Sequence, residues 1–192
     1  MKVNTKLMTA LCAASAVLLA VSGCSSDDTG KKRDAWAKGV CDQAASQFQK
    51  IDDANIAISK VNSAGSPRDV QKADSDVFQT ISTAYKSLAG IFSTAGPAPG
   101  GTEGQEFQQN GVSVFTSLST QYAGLKKQVD GLDTANQSKF ADGLKGVSDS
   151  LNRTTTNAKT SLGTLDQGDT GKALARQPGC QRVSSTPSPS AS

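Results

Sequence analysis

Histidine is absent from all 192 residues, and methionine occurs only as Met1 and Met8. Without imidazole there is no Ser-His-Asp or Cys-His pair to activate a nucleophile. The usual zinc and iron sites lose their commonest nitrogen ligand. Copper(I) carriage, which draws on thioether, thiolate and imidazole, has no adequate ligand set. Glutamate is scarce too, with only Glu103 and Glu106 against fifteen Asp. Carboxylate chemistry survives these absences, but it needs two acids converging in a cleft, and the spacing along the chain offers no such pair. Aromatics make up 5% of the chain, and no alternating apolar–polar run marks a strand. The expectation is therefore a protein that is not an enzyme, with no catalytic residues, no metal site and no cofactor.

Long apolar runs are also missing. The longest uncharged one, Leu7–Ala20, covers about 14 residues, short of the roughly 20 that a helix needs to cross a bilayer. It follows a positive start at Lys2 and Lys6 and leads into the small residues of Val21-Ser22-Gly23, which are the three parts of an export signal. Residues 1–23 are read as that signal. Val21-Ser22-Gly23-Cys24 resembles the lipobox of bacterial lipoproteins: aliphatic, small, small, cysteine. The resemblance covers the first 24 residues only. It implies a diacylglyceryl group on Cys24, cleavage just before it, and a cell-membrane protein on the extracytoplasmic face. Two acyl chains anchor stably where one is marginal. Loss of residues 1–23 removes Lys2 and Lys6, leaving 18 basic against 17 acidic residues, a net charge of about +1. Nothing in that balance forms the basic stripe of a nucleic-acid binder.

The four cysteines sort by position. Cys12 leaves with the signal and Cys24 takes the lipid. Cys41 and Cys180 remain in an oxidising compartment, where a pair is expected to bridge. They stand too far apart in sequence for a redox motif of the CxxC kind. The bridge is expected to be structural.

The domain organisation expected is a flexible tether over 24–33, a helical domain over 34–180 and a disordered Ser/Pro tail over 181–192. Apolar spacing within the domain is helical. A first segment, about Asp34–Ala64, carries Trp36, Val40, Ala44, Phe48, Ile51, Asn55 and Ile58 at steps of three or four, with Gly65 as its C-terminal cap. Ser66-Pro67-Arg68-Asp69 supplies an N-cap, a proline at the first position and an acid at the third, and opens a second helix running to Ala95. Gly96–Gly104 excludes regular structure. A third helix follows over about Gln105–Leu132. Thr134-Ala135-Asn136-Gln137 fits a capping box for a fourth, and a short extra helix is expected near Thr170–Gln177. Four long segments with short links suggest an all-α, up-down-up-down four-helix bundle. The bridge agrees, since the first helix begins at the end where the fourth finishes. Gly90, Gly124, Gly131, Gly143, Gly146 and Gly163 lie within helical runs, where they are expected to let facing helices approach closely, or else to give flexibility that opens a groove between helices.

Asp52-Asp53, Asp74-Ser75-Asp76 and Asp166–Gly171 look like cation sites only on paper. Residues one or two apart on a helix point in different directions, and the last lacks the pattern of a calcium loop. Trp36, the only tryptophan, is expected to pack over the disulfide, or else to serve as a partner contact. The leading reading is an exported, lipid-anchored, non-enzymatic bundle that binds an envelope protein or cell-wall component. A small-ligand carrier or sensor using a groove between helices comes second, and a carboxylate-dependent enzyme third.

Overall fold

A computed structural model describes residues 25–62 and 64–181. The export segment, the lipobox with Cys24, and the Ser/Pro tail from residue 182 lie outside the described residues. Those described form five helices and no strand: α1 (Ser25–Ser59), α2 (Pro67–Ala95), α3 (Thr102–Asp130), α4 (Gln137–Leu165) and α5 (Gly168–Ala175). None of these helices is long and apolar enough to cross a membrane.

Helix α1 differs from expectation at both ends. Residues 25–33, expected as a flexible tether, are its first turns. Lys32 pairs with Asp28 one turn earlier, and the largely buried Arg33 is held by the Pro99 carbonyl and the Asp169 carboxylate. At the other end α1 stops at Ser59 rather than Ala64. Asn62 accounts for this: its side chain accepts from Ala64 N and its carbonyl from Gly65 N, a local turn that competes with the helix. Gly65 therefore belongs to that turn and does not cap α1.

Helix α2 has the bounds and cap that its sequence predicts. The Ser66 hydroxyl accepts from Asp69 N and donates to the Asp69 carboxylate, and Pro67 opens the helix. Gly96 ends it at φ 69°. Helix α3 begins earlier than expected because the break is shorter than its composition suggests. Gly101 takes φ 67°, and the chain turns directly into helix at Thr102. Ala98 N donates to Gly104 O across that turn. A Cβ on Gly104 would overlap the Ala98 carbonyl, so this glycine is there for close approach. At α4 the expected capping box is displaced. Asp133 takes Ala135 N into a turn of its own, and Asn136, two residues after Thr134, accepts from Lys139 N as the true N-cap.

α2 and α3 form the closest pair, with α1 on α2, α4 on α3 and α5 on α1. Ring pairs Phe92–Phe107, Tyr85–Phe115 and Phe78–Tyr122 descend on α2 as they ascend on α3, so these two helices run antiparallel. Their approach is tight at two points. Ser82 and Ser119 exchange hydroxyl-to-carbonyl hydrogen bonds of 2.8 and 2.9 Å, and Gly111 leaves its face to the Phe92 ring. One apolar core joins the helices, with Phe78, Ile81, Leu88, Leu118, Leu125 and Val129 almost wholly buried. Each contributes about 1.5–3 kcal/mol relative to exposure.

The expectation about helical glycines needs correction. Gly143 does face Leu132, but a Cβ on Gly90, Gly124, Gly146 or Gly163 would meet nothing within 4 Å, and Gly131 caps α3. Most of these glycines look outward and contribute no close packing.

Candidate functional site

Cys41 and Cys180 are bonded, with Cα atoms 5.2 Å apart. Cys41 is fully buried on α1, and Gly179 seats its backbone against the Cys41 carbonyl, where a side chain would clash. The bridge fastens the chain after α5 to the second turn of the apolar stripe on α1. Arg176 to Asp34 (2.5 Å) and Arg33 to Asp169 (3.1 Å) add two ion pairs between the same elements.

Trp36 does not share the disulfide's side of α1. Five residues at 100° each put it about 140° from Cys41 around the helix. Its ring stands edge-on to Phe92 and Phe107, both at 6.2 Å between centroids. The indole N–H donates to the carbonyls of Ala95 and Gly96, which α2 leaves open at its C-terminus. Trp36 closes the corner where α1, α2 and α3 meet.

Midway along the helices lies a polar node drawn from four of them. The Tyr85 and Tyr122 rings stand 5.7 Å apart. Burial pushes both phenols up from their ordinary value, and the Asp52 charge on α1 raises Tyr85 further. Thr155 on α4 hydrogen-bonds Tyr122 and opposes the effect of burial there. Asp74 is a separate case. It lies between Val70 and Val77 on the buried stripe of α2, and desolvation pushes its carboxyl up to about 6. Among the described residues no hydrogen bond or ion pair compensates it. Asp130 shows the reverse: Lys126 and Ser75 bond its carboxylate and hold its pKa low.

No known protein family, curated protein or solved structure matches this chain. The site must therefore be read from its own chemistry. Among the described residues no three metal-ligating side chains gather. Asp52 and Asp74 belong to different environments, while Asp76 pairs with Lys72 at the surface and Asp169 with Arg33.

Polar groups from two helices converge at an open groove of about 360 Å³ between α3 and α4. Gln121, Leu125 and Gln128 line it from α3, and Ser150, Arg153, Thr154 and Asn157 from α4. Buried Leu125 and Thr154 form its floor. No carboxylate lines it. The Arg153 guanidinium bonds only the Ser150 hydroxyl (3.0 Å) among the described residues. The sequence suggests a groove between helices but does not place it or name its residues. Its signal was weak: residues at i, i+4 and i+7 on one helix, and at i, i+3, i+4 and i+7 on another. Nothing in the chain says that those two faces are neighbours.

Proposed function

We propose that the protein is an exported lipoprotein, anchored through acylated Cys24 to the extracytoplasmic face of a cell membrane, and that its helical domain binds an envelope component without catalysing a reaction. The observation that carries this reading is the Cys41–Cys180 bridge. A structural disulfide belongs to an oxidising compartment, and the chain begins with the export signal and lipobox that would deliver it there. The absence of histidine and the dispersal of the carboxylates support a binding role.

In this reading the four long helices form an up-down-up-down bundle, and α5 returns the chain to α1. The short links at 60–66, 96–101 and 131–136 support that order, as does the antiparallel α2–α3 pair. The bundle has its bridge, α5 and the α2–α3 link at the end nearest the anchor. The α1–α2 and α3–α4 links lie at the far end.

A second reading, a carrier or sensor for a small ligand, is favoured by the α3–α4 groove. The groove is open to solvent, which also suits a ligand that is part of a larger polymer. Fractionation and intact-mass analysis test the anchor. The native protein should partition with membranes and carry a diacylglyceryl group on Cys24. Cys24→Ala should remain unprocessed or appear in the soluble fraction. An unmodified Cys24 in the native protein, or an unchanged membrane fraction for the variant, overturns the reading.

A further inference from the structure

We propose that the groove between α3 and α4 is a binding site for a carboxylate-bearing saccharide. This goes further than the envelope-binding reading by naming the chemistry of the ligand. The groove's rims are two helical turns long on each side, about 10 Å at 1.5 Å per residue, a span of about two sugar rings. Three carboxamides stand on them: Gln121 and Gln128 on α3, and Asn157 on α4. The Gln128 and Asn157 side chains make no hydrogen bond among the described residues, and the Gln121 side chain uses only its N–H, toward Ser117. A carboxamide offers a donor and an acceptor side by side, which matches a pair of adjacent hydroxyls.

Arg153 supplies the selectivity. It is a cation with no ion-pair partner among the described residues, in a groove whose lining holds no carboxylate, so an arriving carboxylate is attracted there. Among the described residues its guanidinium donates only to Ser150, and a guanidinium fork engages a carboxylate through two parallel hydrogen bonds. Asp149, one turn before Arg153, does not pair with it.

The floor argues for a sugar over a peptide. Leu125 is the one apolar side chain in the lining, enough to lie under a sugar ring face, with no pocket to receive alternate side chains of an extended peptide. A groove this open to solvent predicts weak binding, with Kd near the millimolar range. Weak single contacts become effective when many copies meet a repeating polymer.

Nuclear magnetic resonance titration of the purified protein tests the proposal, following backbone amides and the side-chain amides of Gln and Asn. The probes are a disaccharide containing one glucuronate, its neutral glucose counterpart, and a tripeptide with a free C-terminal carboxylate. The acidic disaccharide should shift Gln121, Gln128, Arg153 and Asn157, and it should bind more tightly than either of the others. Arg153→Gln should weaken it about tenfold, the worth of one charge-assisted pair, and abolish its advantage over the neutral sugar. Gln128→Ala, which leaves the charge unchanged, should weaken both sugars alike. Both positions are exposed, and circular dichroism checks that the variants fold. The proposal is overturned if the rim does not shift, if the neutral sugar or the peptide binds as well, or if R153Q binds like the parent. None of these outcomes bears on the anchor, which is read from the mass at Cys24.

Discussion

A single carboxyl shows how position on a helix outweighs residue type. Asp74 occupies a place on α2 where its neighbours one turn away, Val70, Val77 and Phe78, are buried. The ordinary carboxyl value of 3.8 rises to about 6 because burial penalises the charged form. The fold therefore favours the protonated acid. The penalty is absent below pH about 4, grows between about 4 and 6, and is complete above 6. A shift of that size would be worth about 3 kcal/mol for a sealed site. The side chain is only half-buried, and about 1 kcal/mol is the fair expectation. Asp74→Asn should thus raise the melting temperature at pH 7 and lose that advantage at pH 4. Thermal melts of both proteins across that range check it, and equal gains at both pH values would contradict it.

At the scale of the helix, glycine separates two roles that a sequence writes alike. Gly124 and Gly146 lie in α3 and α4 with open space where a Cβ would go. Gly124→Ala and Gly146→Ala should each stabilise by about 0.5–1 kcal/mol through helix propensity alone. Gly104 lies against the Ala98 backbone, and Gly104→Ala should cost more than 2 kcal/mol by forcing that turn apart. Chemical denaturation of the three variants measures both signs. The same distinction explains what was legible beforehand. Period and caps define α2 to the residue, because Ser66, Pro67 and Gly96 act through their nearest neighbours. The end of α1 was misread because Asn62 spends its side chain on a turn, and the start of α4 because Asn136 competes with Thr134. Closeness in sequence points Trp36 to the disulfide, or else to a partner, where the helical angle sends it to Phe92 and Phe107. The groove depends on which faces of α3 and α4 meet, information that no local spacing contains. The pairing of Cys41 with Cys180 was legible because elimination left no other partners.

For the molecule as a whole, the covalent link between its ends matters most. The bridge spans 139 positions, and closing so long a loop restricts the unfolded chain by about 5 kcal/mol in the chain-entropy account, with measured values of 2–5. Replacing Cys41 and Cys180 together by Ala should lower unfolding free energy by about 2–5 kcal/mol in denaturant titrations, while helical circular dichroism persists at low temperature. Cys41 shares the buried core with α2 and α3, but the packing of α2 on α3 involves neither cysteine and should survive loss of the bridge. α5, eight residues long, should detach first, and hydrogen exchange of residues 168–175 would report this directly.

The same link changes what a protease can achieve. Every connection between helices lies between the two bonded cysteines, so one cut at 60–66, 96–101 or 131–136 divides the chain without separating its halves. The nicked molecule would keep its mass apart from one added water, and would run as two fragments only after reduction. Two cuts in different connections are needed before any piece between the bonded cysteines can drift away, a margin against proteolysis that a chain without the bridge would lack.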